Sequence, residues 1–190
     1  MNQIDDENPY RFVLSEPQPQ WGTEDDRDLH IVLVAPEIPG NTGNIGRLCA
    51  GANTWLHLVR PLGFELDNRR LERAGLDYWP SVRLCVHDQF EAIEAIFPQE
   101  RLHFFTKAGV IRHSDVGWRP GSVLVFGRET KGLPQSIHDA YPDRMVKIPI
   151  TNDVRSLNLS NAAAVALYEA LRQLDFEPVE RALRGNADLL

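Results

Sequence analysis

The chain has 190 residues, of which 43% are hydrophobic, and this is enough for the core of one domain. Its formal net charge of −7 argues against binding nucleic acid over the whole surface, but the charge is unevenly spread. Residues 1–28 hold eight acidic residues and two arginines, whereas the remainder holds 18 basic and 19 acidic residues. The body of the chain is therefore nearly neutral, which is compatible with a local basic face.

From the N-terminus, residues 1–28 are predicted to form a flexible arm, because three prolines and several acidic clusters interrupt any apolar pattern. Phe12, Val13, Leu14 and Trp21 are candidate anchors that would dock this arm. The N-terminus does not have the pattern of a signal peptide, and no apolar run approaches the length of a membrane span.

Apolar runs alternate with helical patterns from Leu29 onward. Strands are predicted at 29–35, 55–59, 81–87, 101–106, 122–127 and 143–150. Helices are predicted at 41–53, 68–74, 89–97, 134–140 and 158–174, the third with Asp88 as its N-cap. This alternation indicates an α/β fold with a mostly parallel sheet flanked by helices. The almost wholly apolar fifth strand is predicted to be central.

Cysteine and histidine give little support for a metal site. Cys49 and Cys85 lie far apart, and the six histidines are scattered without the spacing typical of metal ligands. We therefore predict no metal and a reducing, cytoplasmic setting.

Three polar loops follow strand-like runs, at 38–47, 126–134 and 148–161. The first contains GNTGNIG, which is neither a dinucleotide fingerprint nor a P-loop, and its Asn41 and Thr42 are candidate helix caps. In the second, Glu129 lies at a turn and is a candidate cap for the helix that follows. The third carries more short polar side chains than one helix needs for capping. Together the loops predict one composite ligand site.

Taken in order, these segments resemble the motifs of the SPOUT methyltransferases, and most closely the branch that methylates the 2′-hydroxyl of the wobble nucleotide of tRNA. The segments are PEIPGNTGNIGRLCA (36–50), RRLERAGLDYW (69–79), VFGRETKGLP (125–134) and IPITNDVRSLNLSNAAAVALYEALRQL (148–174). The resemblance spans 29–175, which we take as the catalytic domain between the arm (1–28) and a C-terminal tail (176–190). Arg128 stands where related motifs have proline.

The resemblance implies a deep trefoil knot near the C-terminus, S-adenosylmethionine as methyl donor, and a homodimer whose site uses both subunits. It also implies that the RNA partner is the anticodon stem-loop of a tRNA. The residues that it assigns to the cofactor are Phe105, Gly127, Ile148, Ser156 and Leu157.

For catalysis the resemblance points to Arg47, with Asn41, Glu129, Asn158 and Ser160 shaping the pocket and holding the ribose. Because the pKa of an arginine exceeds about 12, Arg47 is a poor base. We therefore expect Arg47 to orient the hydroxyl and stabilise charge, with an RNA phosphate as the candidate proton acceptor.

Six basic residues are candidates for RNA docking: Arg69, Arg70, Arg73, Lys107, Arg128 and Lys131. For the three arginines at 69–73, a solvated helix face explains the pattern equally well.

Other functions stay open at this stage. One is a nucleotide-binding oxidoreductase that uses 40–46 as its phosphate loop, although no acidic residue ends the second strand, where Arg60 and Pro61 follow. Others are a non-catalytic RNA-binding protein with the same fold and a methyltransferase that acts at another RNA site.

Overall fold

The computed structural model describes residues 16–65 and 78–187 of the chain. Its strands are β1 (His30–Val34), β2 (Trp55–Val59), β3 (Leu84–His87), β4 (Leu102–Phe105), β5 (Ile111–Arg112), β6 (Val123–Phe126) and β7 (Met145–Lys147). Its α-helices are α1 (Pro39–Gly51), α2 (Glu91–Ile96), α3 (Gln135–Ala140), α4 (Leu159–Gln173) and α5 (Glu177–Ala187). Short 3₁₀ turns lie at Trp79–Ser81, Gln99–Arg101 and Pro142–Arg144.

The seven strands form one sheet in the order β3-β2-β1-β6-β4-β7-β5, and all of its strand pairs are parallel. This confirms the predicted α/β class and the central position of β6. The chain crosses from β4 to β5 around β7, so that β7 lies between two strands that follow each other in sequence.

Both faces of the sheet are covered, which explains why its strands are continuous apolar runs. Along β1, Ile31 and Leu33 face α1 and α4, whereas Val32 and Val34 face α2 and α3. The buried face of α4 is rich in alanine, which lets this helix lie close to α1 and to β6. Its alanines at 163, 166 and 170 are fully buried within the chain.

One local prediction is wrong, and one short strand was missed. Asp88 does not cap the helix that follows, because α2 begins at Glu91 after an N-cap at Phe90 without a side-chain hydrogen bond. Asp88 is exposed instead and pairs with Arg60 at 3.4 Å. Strand β5 was not predicted, since two residues are too short to produce a periodic pattern. The helix predicted at 68–74 lies outside the described residues.

The two ends of the described chain pack on the domain, where an arm and a tail were predicted. Trp21 is 3% exposed, with its ring centroid 4.8 Å from that of Trp55. Asp28 accepts hydrogen bonds from Trp55 Nε1 at 2.8 Å, Arg83 at 3.0 Å and Arg181 at 2.6 Å. Because Arg181 belongs to α5, one carboxylate joins the two ends. Residues 1–15 and 188–190 lie outside the described residues, and the division into arm, domain and tail stays a prediction for them.

Candidate functional site

A cavity of about 920 Å³ lies at the edge of the sheet where β1, β4, β6 and β7 end. In open parallel sheets, ligands bind in crevices at this edge. Eleven of the predicted site residues line the cavity: Asn41, Phe105, Lys107, Gly127, Arg128, Glu129, Lys131, Ile148, Ser156, Leu157 and Asn158. The three polar loops therefore meet at one place, as the sequence predicted, although this location does not establish what each residue does.

A hydrogen-bonded network joins the three loops across the cavity. Glu129 accepts from the backbone N–H of Glu37 at 2.8 Å and of Ile38 at 3.2 Å. Asn41 Nδ2 donates to Glu129 at 3.0 Å, and Asn158 Nδ2 donates to Asn41 Oδ1 at 2.9 Å. Each side chain is therefore oriented by a residue from another loop, which makes the arrangement rigid before a ligand arrives.

The predicted helix caps in this region are partly wrong. Glu129 does not cap α3, whose N-cap is Pro134, but bonds the turn that precedes α1, because β1 and β6 are neighbours and their loops meet. Asn41 and Thr42 lie inside α1, which starts at Pro39 and has no side-chain cap.

Asn158 is the N-cap of α4 and also belongs to the network. Its Oδ1 accepts the backbone N–H of Ser160 at 2.9 Å and the Ser160 hydroxyl at 2.7 Å. Ser160 does not line the cavity, and it contacts the network only through Asn158.

Glu37 contributes to the site and was missed by the sequence analysis. Its Oε2 accepts the Thr130 hydroxyl at 2.7 Å and the Thr130 backbone N–H at 3.2 Å. The hydrogen bond from Thr130 lowers the pKa of Glu37, and the positive charges of Arg128 and Lys131 lower it further. An acidic residue just before a helix start was the available signal, but its partner is 93 residues away.

Gly127 allows the second loop to fold back on itself. The backbones of Arg128 and Gly132 exchange two hydrogen bonds, at 3.0 and 2.9 Å. A Cβ atom on Gly127 would lie 2.2 Å from the carbonyl carbon of Gly132, so no other residue fits there without moving the backbone. Gly132 has a φ of +69°, which glycine adopts without strain.

The cavity combines an apolar wall with a basic rim. Phe105 and Phe126 stack with ring centroids 4.6 Å apart, and the side chains of Ile148 and Leu157 extend the apolar surface. Lys107, Arg128 and Lys131 also line the cavity, and so does Arg155, which the sequence analysis did not single out. The predicted basic residues at 69, 70 and 73 lie outside the described residues.

Arg47 does not line the cavity of its own chain. It lies two turns into α1, and its side chain is exposed. Its Cζ atom lies 5.3 Å from the ring centroid of Tyr78, and the Tyr78 hydroxyl donates to the Gly43 carbonyl at 2.9 Å.

The profile of the SpoU rRNA methylase family matches residues 28–168. The chain belongs to this family. Membership in the SpoU family excludes the alternative of a nucleotide-binding oxidoreductase. The sequence already argued against that alternative, because no acidic residue directly follows β2.

Two curated relatives are similar over nearly their whole length. A tRNA (cytidine(34)-2′-O)-methyltransferase from Methylovorus glucosotrophus (strain SIP3-4) is 52% identical over 147 residues, covering 77% of this chain and 96% of the relative. The enzyme of the same name from Escherichia coli (strain K12) is 50% identical over 150 residues, covering 78% of this chain and 95% of the relative.

Solved SpoU structures share the fold. A structure described as giving insight into 2′-OH methylation of C/U34 on tRNA is 45% identical, with a TM-score of 0.73 over 79% of this chain and 98% of the other. A SpoU methyltransferase from Streptomyces viridochromogenes, solved with AdoMet, is 22% identical, with a TM-score of 0.71 over 85% of this chain and 63% of the other.

The family match begins at Asp28 and ends within α4. Trp21, Asp26 and the whole of α5 therefore lie outside the matched region. Within the described residues, no helix is both long and apolar enough to cross a membrane.

Proposed function

We propose that the protein transfers a methyl group from S-adenosylmethionine to the 2′-hydroxyl of the wobble nucleotide, position 34, of a tRNA. The observation that carries this proposal is the convergence of three loops on one cavity, in a chain about half identical to enzymes that bear this activity in their names. A tRNA substrate would place the activity in the cytoplasm.

The cavity has features that fit the methyl donor. Phe105, Ile148 and Leu157 provide an apolar surface suited to an adenine ring, and Gly127 lines the same cavity, where its lack of a side chain lets the second loop fold back. Ser156 would contribute polar contacts. The donor brings an activated methyl group on a sulfonium, so the protein's main task is to position the reactants.

The polar network would then hold the ribose. Asn41 and Asn158 are fixed by their mutual hydrogen bond, and Glu129 is fixed by two backbone N–H groups. Preorganised groups cost no reorientation when charge develops, which favours the transition state. Arg47 would orient the hydroxyl and stabilise its developing negative charge, while an RNA phosphate takes the proton.

We further propose that the site is completed by a second copy of the chain. Arg47 is exposed and lies outside its own cavity, so it is free to reach the cavity of a partner. The described surface also has large exposed apolar side chains on and just after α4: Val165 at 43%, Tyr168 at 52% and Phe176 at 38%. An apolar patch of this kind supports a homodimer.

A trefoil knot at the C-terminal end of the domain is also proposed. The chain from β4 to β5 passes around β7, and Gly109 in this connection lies so close to Val146 that an added Cβ would be 2.4 Å from its carbonyl carbon. In the proposed knot, the chain that leaves β7 passes beneath this connection before it reaches α4. This crossing supports the proposal that the chain is threaded through a loop to form the knot.

Lys107, Arg128, Lys131 and Arg155 form a basic rim that would bind the phosphates of the anticodon stem-loop. The proposed role of Arg69, Arg70 and Arg73 in the same docking rests on sequence alone.

The activity is tested by incubating the purified protein with total tRNA and a donor labelled on its methyl group. Label in tRNA, and none when the donor binding is blocked by S-adenosylhomocysteine, is the expected result. A protein that binds tRNA without incorporating label would instead be a non-catalytic RNA-binding member of the family.

A further inference from the structure

A row of four buried polar side chains crosses β1, β2 and β3 outside the cavity. An oxygen of the Asp26 carboxylate lies 3.1 Å from His30 Nε2, and His30 Nδ1 lies 3.1 Å from His57 Nε2. His57 Nδ1 lies 3.0 Å from His87 Nε2. None of the four is more than 5% exposed, and none lines the cavity. The function proposed above uses none of them.

The carboxylate at one end of this row fixes the proton positions along it. Ionised Asp26 accepts only, so His30 carries its proton on Nε2. With neutral rings, His30 Nδ1 then accepts from His57 Nε2–H, which leaves a lone pair on His57 Nδ1. In this order of hydrogen bonds, the lone pair of His57 Nδ1 points toward β3.

A thiol joins the row on β3. Cys85 is the register partner of His57, and in a strand the side chains of Cys85 and His87 point to the same face of the sheet. The Cys85 sulfur and one ring nitrogen from each of His57 and His87 lie within 4.8 Å of one another. The sequence analysis predicted no metal because the histidines lack the spacing of metal ligands along the chain. Such spacing does not reveal ligands that neighbouring strands bring together.

We propose that Cys85, His57 and His87 bind a zinc ion. One thiolate and two imidazoles are a donor set that Zn²⁺ prefers, with Zn–N of about 2.0–2.1 Å and Zn–S of about 2.3 Å. The nitrogen atoms of His57 and His87, now 3.0 Å apart, need to separate by a few tenths of an ångström for tetrahedral coordination. The two rings turn their lone pairs from each other toward the ion, and the Cys85 sulfur, within 4.8 Å of the ring nitrogens, settles at about 3.5 Å from them. A water molecule takes the fourth position.

Asp26 and His30 provide the outer support that zinc ligands ordinarily have. A metal-bound histidine donates its other N–H to an acceptor that fixes the ring, and here His57 donates to His30, which in turn donates to Asp26. β3 is an edge strand and His87 is its last residue, so an ion can enter from the side of the sheet.

Binding is balanced by the release of one proton. Cys85 loses its thiol proton to solvent, and His87 stays neutral by carrying its proton on Nδ1 instead of Nε2. The ion would fasten the edge strand β3 to β2 and, through Asp26, to the N-terminal segment.

The site is tested by titrating metal-free, full-length protein with Co²⁺, which substitutes for Zn²⁺ and reports a thiolate ligand by a charge-transfer band in the near ultraviolet. We expect one Co²⁺ per chain, displaced by Zn²⁺. Cys85→Ser should abolish the band, whereas Cys49→Ser should retain it, because Cys49 is buried on the opposite face of the sheet. Asp26→Asn should weaken metal affinity by about 10–100-fold.

Circular dichroism establishes that each variant is folded. X-ray absorption of the zinc-loaded wild-type protein gives a second readout that needs no variant, and one sulfur with two imidazole ligands is expected. Absence of the charge-transfer band in wild-type protein, its persistence in Cys85→Ser, or a zinc shell without sulfur would overturn the proposal.

Discussion

At the scale of single residues, Arg47 separates catalysis from donor binding. Its side chain lies outside the cavity of its own chain, so its removal should leave the donor site unchanged. Arg47→Ala is expected to bind S-adenosylmethionine with wild-type affinity by calorimetry while methyl transfer falls at least about 100-fold. Arg47→Lys keeps the charge but loses the planar fork, and should recover only part of the rate. Unchanged turnover in Arg47→Ala would reject the assigned role.

Gly127 tests whether the shape of the second loop forms the donor site. The added methyl group of Gly127→Ala would lie 2.2 Å from the carbonyl carbon of Gly132, so the loop must move. We expect S-adenosylmethionine affinity to fall at least about tenfold and thermal stability to decrease. Gly117→Ala is the matched control, because nothing lies within 4 Å of its added Cβ. Equal donor affinity for the two variants would contradict the assignment.

His103 should make stability depend on pH. Burial, together with the positive charges of Arg144 and Arg119, lowers its pKa from an ordinary value of 6.5 to about 4. The unfolded chain therefore takes up this proton more readily than the folded one, so stability is complete above pH 6.5 and is lost as the pH falls toward 4. The loss amounts to about 3 kcal/mol. Urea unfolding across this pH range should show a smaller pH dependence of stability in His103→Gln than in the wild-type protein. The same pH dependence in both proteins would contradict this role of His103.

At the scale of secondary-structure elements, Asp28 connects both ends of the chain to the sheet. Its carboxylate is 14% exposed and accepts from side chains on β2 and α5 and from Arg83, just before β3. Asp28→Ala leaves Trp55 Nε1 and Arg83 without this acceptor and should cost about 2–4 kcal/mol in denaturant unfolding. Arg172→Ala, which removes an exposed arginine from its ion pair with Glu169, is the control and should change stability little. Similar stability of both variants would show that Asp28 does not fasten the ends.

The elements that could be predicted from sequence are those whose signal is local. The strands β1, β2 and β6 are apolar runs. Helix α4 begins directly after Asn158, whose side chain caps it. The sequence analysis predicted a tail instead of helix α5, because Pro178 lies in this segment. A helix tolerates proline in its first turn, which is where Pro178 lies.

The sequence predicted many of the residues that line the site but not the hydrogen bonds that connect them. The motif loops follow strand ends, and parallel strands bring those ends to one edge. The hydrogen bonds that Thr130 donates to Glu37 and Asn158 donates to Asn41 span 93 and 117 residues, so only the tertiary fold pairs these residues. Likewise, the cluster of Asp26, His30 and His57 depends on strand register and leaves no spacing signal.

At the scale of the whole molecule, the proposed homodimer predicts complementation between two variants, each nearly inactive when the donor concentration is kept well below the Kd of Gly127→Ala. A heterodimer of Arg47→Ala with Gly127→Ala has one complete site if each Arg47 serves the partner's cavity. Heterodimers purified by two different tags should therefore recover up to about half of the wild-type activity. If Arg47 serves its own cavity, the purified heterodimer has no complete site and stays inactive, which would contradict the shared site.

The position and atom of methylation test the central claim most directly. Reacted tRNA is digested and its nucleotides are identified by mass spectrometry, alongside an otherwise identical tRNA that carries 2′-deoxyribose at position 34. The proposed function predicts one added methyl group on the ribose of nucleotide 34 and none on the deoxy substrate. A methyl group on a base, on the ribose of another nucleotide, or on the deoxy substrate would contradict it.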